Sequence, residues 1–204
     1  MAEADRTRWN ERYRQQAYDF APPDWLIALG PQLQPRHADA RALDLACGAG
    51  RNSLFLARLG YAVDAWDISD VGLEVLRAEL ARASEPLRVA PRQVDLDSAA
   101  LPTETYDLIL DAHYLDRRLF PHMERALKQG GLVLVHTFLQ PPSGRYNPAH
   151  ALEPGELGRA FASLIQLELS ENVEAETAHL LAQRAYGSPE LPELLSRSTV
   201  EHSV

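Results

Sequence analysis

The spacing of apolar positions along this chain changes several times, and each change marks an element. From Ala2 to about Gln16 the residues are polar and helix-permissive, and Trp9 and Tyr13 stand four apart, which puts both rings on one face of a predicted helix. Pro22 and Pro23 end it. Asp24 is placed to cap a short second helix, Trp25 to Leu29, ahead of the proline-rich stretch 31 to 35. From Arg41 a repeating unit sets in. The apolar run Ala42 to Ala46 ends in Cys-Gly-Ala-Gly, and a helical stretch from Asn52 to Leu59 closes at Gly60. A second strand, Tyr61 to Trp66, ends at Asp67, and Ser69 or Asp70 caps a helix that carries Val71, Val75 and Leu76 at helical spacing. A third strand covers roughly Leu87 to Val94 and ends at Asp95-Leu96-Asp97; the mostly apolar Tyr106 to Ala112 is a fourth. A helix from about Pro121 stops at Gly130-Gly131, and the fifth strand, Leu132 to Phe138, follows at once.

Apolar strands alternating with helices predict an α/β fold, a doubly wound parallel sheet covered on both faces, whose ligands bind at the carboxyl ends of the strands. After Phe138 the rhythm breaks. Residues 140 to 148 read as a loop, Glu153-Pro154 opens a helix through about Ala162, and strands near Leu164 to Val173 and Ala178 to Tyr186 follow without a crossover helix, so they pair antiparallel or lie apart. The expected organisation is a helical covering segment over 1–40, one domain over 41–186 and a loose tail over 187–204.

Composition narrows the chemistry. With 204 residues, 46% hydrophobic and 24% charged, there is material for one sizeable core and no second full-sized domain. The net charge of −9 repels phosphate backbones and anionic lipid, so neither a nucleic acid nor a membrane surface is the expected partner. Cys47 is the only cysteine, which excludes an intramolecular disulfide and an all-cysteine zinc site; no metal site is read from the sequence. The charged N-terminus has no apolar leader core, and no later stretch approaches the roughly 18 apolar residues of a membrane span. A cytoplasmic protein, monomer or homodimer, is expected.

The most informative stretch is Asp44-Leu-Ala-Cys-Gly-Ala-Gly-Arg-Asn-Ser53. Gly48 and Gly50, between a strand and a helix, let the backbone approach a ligand at an electropositive helix N-terminus. Ser53 stands where a dinucleotide fingerprint wants a third glycine, and the Gly-Lys-Ser/Thr of a phosphate loop is missing. The carboxylate of Asp44 would oppose a pyrophosphate and attract an ammonium group. Asp67, ending the second strand, is placed to accept both hydroxyls of a ribose. Asp95 and Leu96, ending the third, can take an adenine by its exocyclic amine and its face. Ammonium, ribose and adenine in sequence order describe S-adenosylmethionine (SAM).

These residues, with Val63-Asp-Ala-Trp-Asp67 at the second strand and Gly130-Gly131 before the fifth, resemble class I SAM-dependent methyltransferases, and within them the tellurite-resistance and thiopurine-type small-molecule branch. Trp9-Asn-Glu-Arg-Tyr13 is similar to that branch's cofactor-covering segment. The resemblance implies a Rossmann-like three-layer fold with seven strands in the order 3-2-1-4-5-7-6 and strand seven antiparallel. It also implies contacts from Arg51 and Asn52 to the cofactor carboxylate. Cys47, with nothing basic adjoining it in sequence, is read as a small buried residue that offers the ligand its backbone and not its thiol. Trp9, Tyr13, Ala46, Ile68 and Asp111 complete the expected cofactor set. His113 and Tyr114, at the end of the fourth strand, and His136, at the end of the fifth, are the catalytic candidates. Methyl transfer from a sulfonium requires nucleophile, carbon and leaving sulfur held in line and dry, so a small acceptor with a soft nucleophile, a thiol or chalcogen species, needs little acid–base machinery. An NAD-dependent oxidoreductase, disfavoured by Asp44 and Ser53, and a non-catalytic SAM sensor are the competing readings.

Overall fold

A computed structural model describes residues 2–141, 143 and 146–187. Its strands are β1 (Arg41–Leu45), β2 (Ala62–Asp67), β3 (Val89–Gln93), β4 (Tyr106–Ala112), β5 (Leu127–Phe138), β6 (Ile165–Asn172) and β7 (Thr177–Gln183). They form one sheet in the order β3-β2-β1-β4-β5-β7-β6. The pairs among β1 to β5 are parallel, and β7 lies antiparallel between β5 and β6. The topology implied by the resemblance is the one found.

The helices are α1 (Ala2–Gln15), α2 (Asp24–Leu29), α3 (Arg51–Leu59), α4 (Asp70–Arg82), α5 (Phe120–Ala126) and α6 (Glu156–Ala160). Because successive strand residues face opposite ways, the apolar runs of the sheet feed two cores. Leu43, Leu45, Ile109, Val133 and Val135 pack with Phe120 and Met123 of α5 and Leu157 of α6. Ala42, Val63, Leu108, Leu110 and Leu134 pack with Leu26 and Leu29 of α2 and Leu56 of α3. No helix among the described residues is long and apolar enough to cross a membrane.

Four local expectations are corrected. Asp24 does not cap α2: Pro23 holds the N-cap position, no side chain serves, and Asp24 is the first helical residue. Gly130-Gly131 does not end α5, which stops at Ala126. Leu127 is already extended and pairs with Tyr106, while Leu132 pairs with Leu108, so residues 128–131 form a bulge in β5. A Cβ on Gly131 would sit 2.9 Å from the carbonyl oxygens of Lys128 and Tyr106, so the glycines serve close strand packing. Glu153-Pro154 lies ahead of α6 in a turn, because Gly155 adopts φ 72° immediately before the helix. β1 closes at Leu45, since Ala46 turns left-handed with φ 52°. The tail read over 187–204 lies outside the described residues beyond Gly187.

Candidate active site

The parallel strands β1 to β5 run the same way, so their carboxyl ends share one rim. In register, Leu45 of β1 lies beside Trp66 of β2 and Asp111 of β4, and Ala112 lies beside His136 of β5. At the centre of this rim the chain between β1 and α3 makes a bend in which every second residue is left-handed: Ala46 (φ 52°), Gly48 (φ 58°) and Gly50 (φ 86°). The Gly50 amide bonds the Cys47 carbonyl at 2.9 Å and the Cys47 amide bonds the Trp66 carbonyl at 3.0 Å, which ties the bend to β2. A non-glycine residue in this region of φ is uncommon, and at Ala46 the surrounding structure holds it.

Two carboxylates lie under the bend. Asp67 accepts from the Gly48 amide and from the Ser69 amide, each at 2.7 Å. Asp44 is 1% exposed; its Oδ2 accepts from the Ser53 hydroxyl and its Oδ1 has no partner. Burial is the main reason that both acids are harder to ionise than usual, with Asp44 pushed up to about 7 against the pull of Ser53, and the Asp67 charge adding to the effect. Cys47 is buried and its thiol is pushed well up by desolvation and by both carboxylates, so it supplies backbone and bulk, not a nucleophile. Asn52, in the first turn of α3, is buried with an unpartnered Oδ1, while Arg51 beside it is exposed.

The network runs on into the N-terminal segment. Ser69 caps α4 by accepting from the Gly72 amide at 3.0 Å and donates to Asn10 Oδ1 at 2.6 Å; Asn10 in turn donates to Asp70 at 2.8 Å. That anchor sets Tyr13 over the glycines: a Cβ on Gly48 would collide with the Tyr13 hydroxyl, and one on Gly72 would sit 3.1 Å from its ring. Trp9 lies beside Tyr13 with ring centroids 6.2 Å apart, flanked by Arg8 and Arg12. Tyr13 therefore reaches the bend itself, and Trp9 supports it from outside.

The third strand-end carboxylate has partners of its own. Asp95 is turned into its own loop, accepting from the Asp97 amide at 3.0 Å and the Ser98 hydroxyl at 3.4 Å. Leu96 is buried in the core with Leu45 and Trp66, and Ile68 is half-buried between Asp67 and Ser69. Asp111 is fully buried with neither oxygen in a hydrogen bond of normal geometry, and desolvation pushes its carboxyl well up. In register with Leu45, it sits on the opposite sheet face from Asp44.

The catalytic candidates divide. Tyr114 packs toward the Leu45 core, and burial, then Asp116, Asp97 and Asp111, raise its phenol. His113 and His136 meet edge to face with centroids 5.2 Å apart, and the His113 amide donates to the His136 carbonyl at 2.7 Å. Trp25 of α2 stacks on His136 at 4.1 Å with an interplanar angle of 4°. On the far side His179 of β7 lies 6.2 Å from His136 and pairs with Glu168 of β6 at 2.8 Å. Phe138 lies 5.2 Å from His113, and Tyr146 lies 5.9 Å from Phe138. Desolvation lowers His136 to about 4, with His113 and His179 adding, and desolvation and Arg51 lower His113, which favours the uncharged imidazole at both. No group of three or more metal-ligating side chains is found among the described residues.

Sequence reasoning passed over Asn10, Gly72, Trp25, Phe138 and His179. Asn10 could have been found, because it shares a helix face with Tyr13 three residues on. His179 gave no signal, since only the antiparallel register places it opposite His136.

Comparison with known proteins agrees with the fold. The family model described as tellurite resistance protein TehB matches residues 35–140. A probable S-adenosyl-L-methionine-dependent methyltransferase TehB from Haemophilus influenzae is 33% identical over 102 residues, covering 47% of this chain and 35% of that protein; the chain thus spans about a third of the length of that relative. The crystal structure of TehB from Haemophilus influenzae superposes with a TM-score of 0.65 at 23% identity, over 88% of this chain and 66% of that one. A geranyl diphosphate C-methyltransferase from Streptomyces coelicolor A3(2), solved with S-adenosyl-L-homocysteine, gives 0.67 at 15% identity over 90% and 97%. The fold is that of class I SAM-dependent methyltransferases, and with just over half of its residues matched to the family model the chain belongs to the TehB family.

Proposed function

We propose that this chain binds SAM at the bend between β1 and α3 and transfers its methyl group to a small molecule with a soft nucleophile, a thiol or a chalcogen species. The observation that carries the reading is the pairing of a left-handed glycine bend with a buried carboxylate, Asp44, one of whose oxygens has no partner. Buried polar atoms without partners are rare in folded proteins, and this one suits an ammonium group. The unpartnered Asn52 Oδ1 belongs to the first turn of α3, which the Ser53 hydroxyl ties to Asp44. The donor and acceptor set therefore fits an amino acid joined to a nucleoside better than a pyrophosphate.

When bound, SAM supplies a methyl carbon on a positively charged sulfur. The chain's own residues hold and dry it. Asp44 takes the ammonium, Arg51 the carboxylate, and Asp67, already accepting two amides, keeps the bend in shape and offers its remaining lone pairs to the ribose. Asp95 and Leu96 are the adenine side, and Tyr13 covers the whole from α1. Relatives named as SAM-dependent methyltransferases support the same reading. Calorimetry with SAM and with NAD tests it: micromolar SAM binding without NAD binding is expected, and NAD binding in preference to SAM would remove it. A SAM-consumption assay with thiols and selenite then separates an enzyme from a sensor, which would bind SAM and form no methylated product.

A further inference from the structure

We propose that Asp111 is the counter-charge for the sulfonium of the bound cofactor, which makes the site favour SAM over the demethylated product, S-adenosylhomocysteine (SAH). This rests on the SAM-binding reading above and adds a specificity-determining residue to that site.

Three acids stand on neighbouring strands near the carboxyl rim: Asp67 in β2, Asp44 in β1 and Asp111 in β4. They are satisfied unequally. Asp67 accepts from two backbone amides, and Asp44 accepts from Ser53 with one of its oxygens. Asp111 is 0% exposed, and neither of its oxygens has a hydrogen-bond partner of normal geometry among the described residues. Asp44 lies beside Leu110, whereas Asp111 lies beside Leu45, the last residue of β1, so Asp111 is one step nearer the rim and on the other face. The groups that act on it are the Tyr114 amide and the negative charges of Asp44 and Asp116. No cation of the chain answers it. A buried carboxyl left in that state costs a folded chain stability, and its presence points to a positive partner that comes with the ligand.

SAM carries two positive centres, the ammonium and the sulfonium, which the bond lengths of an extended chain set roughly 5 Å apart. Neighbouring strands are spaced by about 4.8 Å, so one ligand lying across the ends of β1 and β4 brings one cation to each acid. The two acids differ in the way that the two cations differ. An ammonium donates hydrogen bonds, and Asp44 sits within a hydrogen-bonded setting, under the bend and bound to Ser53. A sulfonium has no N–H or O–H to donate and is answered by charge alone, which is what an acid without hydrogen bonds supplies. The cation in turn favours the ionised form of Asp111. Once the methyl has left, the sulfur is neutral and the carboxyl faces an uncharged thioether, so the hold on the product weakens. The ammonium is common to SAM and SAH, and Asp44 therefore does not tell them apart.

Titration calorimetry on wild type and on Asp111→Asn, a change of charge with almost no change of shape, tests this without any turnover. The probes are SAM, SAH and sinefungin, in which an amine-bearing carbon replaces the sulfonium. Wild type is expected to bind SAM and sinefungin roughly tenfold or more tightly than SAH. Asp111→Asn should lose that preference by weakening both cationic ligands, while SAH stays within about threefold of its wild-type affinity. The ligand-free variant should melt no lower than wild type, because the substitution removes a buried acid that has no partner in the free chain. SAH bound by wild type as tightly as SAM would overturn the proposal. So would an equal loss for all three ligands in Asp111→Asn, or a melting temperature lowered by several degrees, since either result makes Asp111 a structural residue. If wild type binds none of the three, the SAM reading fails and the counter-charge with it. If it binds SAM and SAH alike, the SAM reading stands and only the counter-charge falls.

Discussion

The two halves of the site are built on different physics. On the cofactor side, Gly48, Asp67, Ser69, Asn10 and Asp70 are joined in one unbroken chain of hydrogen bonds that ties the bend, β2, α4 and α1 together. Around the ends of β4 and β5, on the side proposed for the acceptor, His113, His136, Phe138, Tyr146 and Trp25 meet through ring faces and edges. Directional bonds fix one ligand's geometry and are costly to break singly; ring contacts tolerate change in shape. The difference suits a constant cofactor opposite a variable acceptor. Substitutions should therefore act sharply and on SAM in the first half, and gradually and on the acceptor in the second.

The strongest way to break this contrast is Asp67→Ala. It leaves the buried amides of Gly48 and Ser69 without an acceptor, at about 1–3 kcal/mol each. SAM affinity by calorimetry should fall at least about a hundredfold, with a lowered melting temperature, whereas Phe138→Ala should leave SAM affinity untouched. Asp67→Asn keeps one acceptor oxygen and should fall between. Unchanged SAM binding in Asp67→Ala would mean that the network does not serve the cofactor.

The contrast also explains what could be read without coordinates. Asp44, Gly48, Gly50 and Asp67 lie within one strand–helix–strand unit, so local spacing brought them together on the page, and regular alternation of apolar runs carried the sheet. The bulge at Lys128–Gly131 was misread because Gly-Gly serves equally as a helix stop and as a place for close strand approach. Asp95 accepts from the Asp97 amide and the Ser98 hydroxyl of its own loop, a hold that spacing along the chain does not reveal. The ring cluster draws on residues 25, 113, 136, 138, 146 and 179, which only tertiary packing unites.

A smaller effect sharpens the cofactor half through its protons. Asp44 is raised to about 7 from an ordinary carboxyl near 3.8, with Asp67 and Asp111 raised in the same direction. The folded chain then holds more protons than the unfolded chain between those values, so the stability of the free protein should fall as pH rises from about 4 to 7. An ammonium at Asp44 favours the ionised form, so SAM binding near pH 6.5 should release protons. Calorimetry in buffers of different ionisation enthalpy measures that release, and Asp44→Asn should lower it. Proton uptake, or no exchange, would place the ammonium elsewhere.

The smallest effect concerns the N-terminal segment, which serves both halves with different helices. Asn10 of α1 bridges Ser69 and Asp70 on the cofactor side, and Trp25 of α2 lies flat on His136 on the acceptor side. If the halves are energetically separate, the two helices should be separable as well. Asn10→Ala removes two hydrogen bonds worth about 0.5–1.5 kcal/mol each and loosens the seat of Tyr13 over Gly48, so SAM affinity should weaken roughly tenfold, with faster hydrogen exchange in α1 and no change in acceptor KM. Trp25→Ala should do the reverse, raising acceptor KM several-fold through a less firmly held His136 while leaving SAM affinity alone. Sites that share no partners add within about 0.3–0.5 kcal/mol, so the double variant should show the sum of the two losses. A clear departure from additivity would show that the leader closes as one body, and that cofactor and acceptor are coupled through it instead of through the rim.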